Sequence, residues 1–486
     1  MKPQNLLFIL SDEHNKKALG SYGHPIVKTP HLDRLAARGT RFTSAYTNCP
    51  ICVPARAALA TGRYVHQTGC WDNAIAYEGQ PPSWGHRLMA QGHHAVSIGK
   101  LHYTRSDPQT NGFDEEILPL HIVNGTGDLL GLIRQELPVR KGAALLGPEA
   151  GPGESEYAGY DRSIRDATVQ WLKQQAHRQG DKPWALYVGF VSPHFPLITP
   201  QKFFDMYPAA DMPMPSQYAQ EERPTHPFIQ SMRASQIYDQ GFTGPDMVRR
   251  AIAAYFGLVS FMDDNVGQIL DALKEAGLED STRVVYSSDH GDNLGARGLW
   301  GKSTMYEESA GIPLIIAGEG VPAGAVCDVP VSLVDVFPTI VQGTGAKPNP
   351  ADADLPGQSL FDIAAGQARP RTILSEYHAA AAITGSFMIR HGRFKYVYYV
   401  GLPPMLFDLE ADPEERHDLG NDPAHAATLR DCEAALRSVV DPEAVNAQCL
   451  ADQAAKIEAV GGREAILKAG TFRYSPPPKH TAVMYS

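Results

Sequence analysis

Residues 5–12, NLLFILSD, form an unbroken apolar run that stops at a charged residue. A strand buried on both faces of a largely parallel sheet reads this way, because neither face meets water. The same pattern returns in HAVSIGK (94–100), PWALYVGFVSPH (183–194), TRVVYSSDHGD (282–292) and IPLIIAG (312–318). Between these runs the apolar period changes to that of a helix. PHLDRLAARG (30–39) predicts a helix with Pro30 near its start and Gly39 at its end. YDRSIRDATVQWLKQQAHR (160–178) and the segment 246–277 predict longer amphipathic helices. Strands alternating with helices predict an α/β protein with helices on both faces of the sheet. From about residue 370 the pattern shifts again, and GSFMIRHGRFKYVYYV (385–400) alternates like an antiparallel meander. The tail AGTFRYSPPPKHTAVMYS (469–486) predicts an extended arm that could reach a second subunit in a homo-oligomer. The expected division is a catalytic domain over 1–370 and a smaller α+β subdomain over 371–486. Segments 104–158 and 197–245 are long Pro-, Gly- and charge-rich excursions, and such loops often carry function.

The chain has 486 residues and a net charge of −11. That balance argues against nucleic acid as a partner, since phosphate binding needs a basic surface. The first apolar run is too short to span a membrane and lacks a cleavage site, so a cytoplasmic protein with no membrane partner is expected. Six scattered cysteines imply no disulfide framework.

Polar residues collect just after the strand ends, where open α/β sheets bind ligands. Asp12 and Glu13 follow the first strand, and Asp289 and His290 follow a later one. Together they could hold one divalent cation; alternatively Asp12 caps a helix and Asp289 closes a turn. Lys100, His102, His194 and Lys302 also sit at strand ends, and Arg56 would add a donor fork to an oxyanion pocket. Cys52 opens a helix, where the dipole favours a reactive thiolate; a buried structural cysteine is the alternative. The Cys49–Cys52 spacing fits redox or zinc chemistry, but no second cysteine pair completes a structural zinc site.

CVPAR (52–56) resembles the C-x-P-x-R signature of the type I, formylglycine-dependent sulfatases of the alkaline phosphatase superfamily. The resemblance extends through FILSDEH, TPHLDRLAARGTRFTSAYTNCPIC, GKLH, SPHFP, SDHGDNLGARGLWGKSTMYEES and LFDLEADPEERHDLGNDP. Ala55 stands where the signature usually has serine. Asn73, in WDNA, and the Lys100/His102 pair look most like choline-sulfatase-like and bacterial arylsulfatase-like members. The resemblance implies an alkaline-phosphatase-like, mostly parallel sheet with a C-terminal subdomain. It also implies hydrolysis of a small sulfated organic substrate, and a formylglycine-generating enzyme as maturation partner. Cys52 would become formylglycine, with the metal on Asp12, Asp289, His290 and residue 52; Glu13 is an open fifth candidate. Calcium is the expected ion and manganese the alternative. Arg56 would orient the hydrated aldehyde. Lys100, Lys302 and Asn73 would hold the sulfuryl oxygens, His194 or Lys302 would protonate the leaving alcohol, and His102 would act as the late base. A phosphonate monoester or phosphodiester hydrolase on the same fold is the alternative enzyme, and a non-catalytic binder of sulfated ligands the alternative class. Trp71, Tyr103 and His121 are positional candidates for the leaving-group pocket. A quaternary ammonium pocket would need aromatic and acidic residues that the sequence does not place.

Overall fold

The computed structural model describes residues 1–175 and 182–485. Strand β1 (Asn5–Asp12) is the expected run, and every residue after Asn5 is buried. Its side chains alternate between two cores. Leu6, Phe8 and Leu10 face one cluster, while Leu7 and Ile9 face the other. Each apolar side chain buried in this way contributes about 1.5–3 kcal/mol, so both faces of the sheet demand a cover.

The remaining strands of this sheet are β2 (Gly39–Phe42), β3 (Ala95–Lys100), β4 (Glu115–Leu120), β5 (Ala185–Pro193), β6 (Thr282–Ser288), β7 (Leu314–Ala317) and β8 (Ala325–Cys327). Their order is β8-β2-β7-β6-β1-β5-β3-β4. β6, β1, β5, β3 and β4 pair in parallel, and β7 runs against both of its neighbours. Helices α1 (Pro30–Ala37), α3 (Glu156–Gln175) and α4 (Pro245–Glu275) cover one face through Leu35, Ile164, Trp171 and Met262. α2 (Cys52–Thr61) and α5 (Val336–Thr344) cover the other through Leu59, Phe337 and Ile340. The sheet is therefore mixed but mostly parallel and flanked by helices, as expected. The last residues of the anticipated 160–178 helix, 176–178, lie outside the described residues.

One local expectation is corrected. α1 ends at Ala37, and Gly39 opens β2 rather than closing the helix. A Cβ on Gly39 would sit 2.0 Å from the Ile316 carbonyl oxygen, so glycine is required there by close strand approach.

The C-terminal meander is β9 (Ile373–Tyr377), β10 (Ser386–His391), β11 (Phe394–Tyr399) and β12 (Leu402–Asp408), antiparallel in chain order. Buried charges dock it against the larger sheet's loops. Lys395 Nζ lies 3.0 Å from Glu307 and 2.6 Å from Glu415, and Lys16 also pairs with Glu307. Among the described residues no helix is long and apolar enough to cross a membrane.

The tail departs from expectation. Thr471 Oγ1 donates to Asp128 (2.9 Å), the Tyr157 hydroxyl donates to the Ser475 carbonyl (2.8 Å), and Arg473 pairs with Glu149. The arm is extended, but it is tied to its own chain. The argument for a second subunit, which rested on an untied arm, therefore lapses.

Candidate active site

Four strand ends open onto one place. β1 ends at Asp12, β3 at Lys100, β5 just before His194, and β6 just before Asp289 and His290. α2 begins at Cys52 and points its N-terminus at the same spot. Sheet order explains this: β3, β5, β1 and β6 are adjacent and parallel, so their carboxyl ends share one edge.

Asp12, Cys52, Asp289 and His290 each present a ligand atom, and all four atoms lie within 4.8 Å of one another. Cys52 Sγ is 3.2 Å from His290 Nε2 and 3.6 Å from Asp12 Oδ1. His290 Nδ1 lies 3.0 Å from the Gly291 carbonyl, which can only accept, so Nδ1 carries the proton. The Nε2 lone pair is left facing the carboxylates, the tautomer a metal-binding histidine needs. Two carboxylates, one imidazole and one further donor fit a divalent cation. Glu13 falls in a second, adjoining group that could hold an ion, with Asp12 and His194. Its Oε2 accepts from Lys302 Nζ at 2.8 Å, and its backbone N–H donates to Asp289 Oδ1 at 3.2 Å.

Arg56 is 2 % exposed, and four of the five N–H donors of its fork are engaged. Nη2 donates to Asp12 and Nε to Asp289, both at 2.8 Å; Nη1 donates to the Lys100 carbonyl and the Tyr187 hydroxyl. The oxyanion fork expected of Arg56 is thereby corrected: it clamps the two carboxylates. Burial would lower its pKa, but Tyr187, Asp289 and Asp12 hold it well above the ordinary value.

The thiolate expectation is also corrected. Burial first, and then the Asp12 charge, push the Cys52 thiol up to about 11. Cys49 is also buried and pushed up, chiefly by burial and then by Glu376. All six cysteines are free, and Cys52 groups with Asp12, Asp289 and His290 rather than with Cys49. The redox or zinc pair is therefore not formed.

Around this cluster lie the other anticipated residues. Lys100 Nζ is 2.7 Å from Asp12 Oδ2, yet makes no aligned hydrogen bond. His102 is buried at φ +58°, with neither ring nitrogen partnered. Burial, then Lys100 and Arg56, hold its pKa well below the ordinary value, so it is a neutral base. His194 Nδ1 donates to the Phe195 carbonyl (2.6 Å), so Nε2, 2.7 Å from Lys302 Nζ, is the acceptor. Burial and the neighbouring Lys302 keep His194 neutral. Burial opposes the Lys302 charge, but its interactions with Cys52, Glu13 and Asp12 raise its pKa well above normal, while burial raises Glu13 in turn. Asn73 Oδ1 accepts the Val53 N–H in the first turn of α2 (3.2 Å), leaving its Nδ2 for a ligand.

The cavity over these groups measures about 80 Å³. Its outer wall comes from residues the sequence did not single out. Asp128 and Arg140 come from the first excursion, Gln236 and Tyr238 from the second, and Phe472–Ser475 from the tail. The excursions as segments were legible; which of their residues face inward depends on their folding. Trp71, Tyr103 and His121 do not line this cavity. Trp71 is buried with Nε1 bonded to Asp452, Tyr103 packs on Tyr77, and His121 meets Glu116.

The sulfatase family profile matches residues 4–346, and the N-sulphoglucosamine sulphohydrolase C-terminal profile matches 295–441. The choline-sulfatase of Rhizobium meliloti (strain 1021) is 33% identical over 425 residues, covering 86% of this chain and 83% of that protein. A 2-O GAG sulfatase structure superposes with TM-score 0.72 at 23% identity, covering 90% of this chain and 92% of the other. The phosphonate monoester hydrolase of Agrobacterium radiobacter gives TM-score 0.71 at 22% identity, covering 92% and 96%. These two structures share the fold. The profile and the choline-sulfatase relationship, together with a buried carboxylate–histidine–cysteine cluster ringed by cations, place the chain in the sulfatase family, as a sulfuric ester hydrolase.

Proposed function

We propose that the enzyme cleaves its sulfate ester with a formylglycine made from Cys52 and one divalent cation held by Asp12, Asp289, His290 and residue 52. The carrying observation is the convergence of those four ligand atoms within 4.8 Å, beside Lys100 and Lys302. When bound, the cation supplies a Lewis acid that draws charge from the sulfuryl group and makes a nearby hydroxyl more acidic. Two carboxylates favour calcium, and the imidazole leaves manganese as the alternative.

In the hydrated aldehyde form, residue 52 presents two hydroxyls on one carbon. One releases its proton to solvent and attacks sulfur while the bond from sulfur to the alcohol oxygen breaks. Lys100 and Asn73 Nδ2 meet the charge on the sulfuryl oxygens. The leaving oxygen takes a proton from Lys302: its ammonium is charged, whereas His194 Nε2 is an acceptor in this arrangement. His194 then positions Lys302 rather than acting as the acid. His102, neutral and unpartnered, accepts the proton of the second hydroxyl. The carbon–oxygen bond to sulfate breaks, and the aldehyde returns. Arg56 keeps both carboxylates oriented throughout. On the same reading the catalytic unit is 1–370, the subdomain is 371–486, and maturation requires a formylglycine-generating enzyme that accepts Ala55.

Mass spectrometry of the peptide bearing residue 52 tests the modification, and Cys52→Ala tests its use. Loss of sulfur at Cys52, and a folded but inactive Cys52→Ala protein, are expected. Full turnover by Cys52→Ala sinks the mechanism. Rates on matched aryl sulfate and aryl phosphonate esters distinguish sulfate from phosphonate chemistry.

A further inference from the structure

The wall that faces the leaving group is cationic, and its carboxylate is already spoken for. Four positive side chains line the cavity: Lys100, Arg140, Lys302 and Arg473. The lining carboxylate, Asp128, accepts from Arg140 Nη2 (2.7 Å) on one oxygen and from Thr471 Oγ1 (2.9 Å) on the other. An aromatic ring that could receive a cation, Phe195, has Lys302 Nζ 5.0 Å from its centroid. A quaternary ammonium would find the rings of Tyr238, Phe472 and Tyr474 in the lining, but no free carboxylate to balance its charge, and it meets two guanidinium groups.

Arg140 and Arg473 are held but not saturated. A guanidinium carries five N–H donors. Arg140 uses one donor on Asp128, and Arg473 uses one on Glu149. The Arg473 stem packs beside Gly142, where a Cβ would come within 2.9 Å of its Cγ. The volume matters as well. About 80 Å³ is far below the roughly 300–1,000 Å³ of pockets for drug-sized ligands, so the enclosed space suits a sulfuryl group and a few further heavy atoms.

Resting on the sulfate-ester reading above, we propose that the substrate is the sulfate ester of a small alcohol bearing a carboxylate, recognised by Arg140 and by Arg473 of the tail. The sulfuryl group takes Lys100 and Asn73, Lys302 stays at the leaving oxygen, and the carboxylate takes the free edges of the two arginines, where planar two-point pairing is available. The tail thereby acts in substrate choice, and the distal cations exclude choline-like alcohols by like-charge repulsion.

Three esters of similar size test this on the converted enzyme: lactate O-sulfate, its neutral analogue lactamide O-sulfate, and choline O-sulfate. The expected order of kcat/KM is lactate first by about tenfold over lactamide, with choline last, since hydrogen bonds to charged groups are the stronger class. Arg473→Ala is the chosen variant because its partner Glu149 is more than a third exposed and tolerates the loss. It should collapse the lactate-to-lactamide ratio to within about threefold, whereas a merely structural role would lower all three rates together. Arg473→Glu should move the preference toward choline O-sulfate. A preference for choline in the parent enzyme, or an unchanged lactate-to-lactamide ratio in Arg473→Ala, overturns the proposal. Turnover of lactamide and choline esters without a carboxylate preference overturns this inference alone. No turnover of these esters or of an aryl sulfate overturns the parent reading as well.

Discussion

Replacing Arg56 with methionine is expected to destabilise the metal-free protein by about 3–5 kcal/mol, the usual effect of deleting one partner of a buried ion pair. Arg56 is 2 % exposed, and both of its carboxylate partners are fully buried. Methionine fills much of the same space, so the cavity contribution is small and the electrostatic one dominates. Two effects place the loss toward the lower end of that range. Asp12 keeps the Lys100 ammonium at 2.7 Å, and Asp289 keeps the amides of Glu13 and His290 at 3.2 and 3.0 Å. The assay is urea unfolding of parent and variant, first in chelator and then in excess calcium. A cation that binds only the folded state stabilises it in proportion to ln(1 + [L]/Kd). It also returns the counter-charge that methionine lacks, so the deficit should shrink in calcium. Arg56→Lys should fall between, because one ammonium cannot bridge both carboxylates. A deficit below about 1 kcal/mol in chelator, well under that range, refutes the clamp. A deficit unchanged by calcium refutes the shared role of the two carboxylates.

Lys302→Met should slow alkyl sulfates about 10²–10⁴-fold, the range for general acid catalysis, and slow p-nitrophenyl sulfate far less, because that leaving group needs no proton. An equal drop on both removes Lys302 as the acid. Burial would raise Glu308, but Arg297 and Lys17 hold it down at about 2 against an ordinary 4.5. Its stabilising contribution is complete above pH 4.5 and is lost as pH falls toward 2, on the order of 3 kcal/mol; acid unfolding of Glu308→Gln should lack that part of the slope. Asp263 behaves oppositely. Burial pushes it up to about 7, despite the amides of Leu32 and His31. The folded protein therefore holds a proton the unfolded chain releases near pH 3.8, and stability falls between about pH 4 and 7. Asp263→Asn should flatten that decline in a melting-temperature profile, and an unaltered profile would contradict the assignment.

Much of the scaffold is legible in local pattern. A run such as NLLFILSD needs burial on both faces wherever it is placed, so β1 and its parallel neighbours follow from composition and period alone. The strand-end positions of Asp12, Lys100, His194, Asp289 and His290 follow with them, because parallel strands present their carboxyl ends to one side. Gly39 shows where local reading fails: a glycine beyond a helix reads as a cap, but the need here is close contact with Ile316, far away in the chain. Cys52 shows a second failure. Its helix-terminal position is local and was readable, whereas its raised thiol pKa depends on burial beside Asp12, which only packing supplies.

The sequence by itself determined five of the eight strands of the sheet, the helix that presents residue 52, and the set of chemical groups at the strand ends; β4, inside the segment read as an excursion, and the short β2 and β8 came only with the fold. Periodicity and short motifs act within a few residues and need no knowledge of the rest of the chain. Tertiary structure alone decided that Arg56 meets both carboxylates, that Glu13 accepts from Lys302, and that the tail packs against the wall of the cavity. Those outcomes turn on contacts between segments tens to hundreds of residues apart, as between Thr471 and Asp128. Such contacts are set by shape, charge and burial once the core has formed.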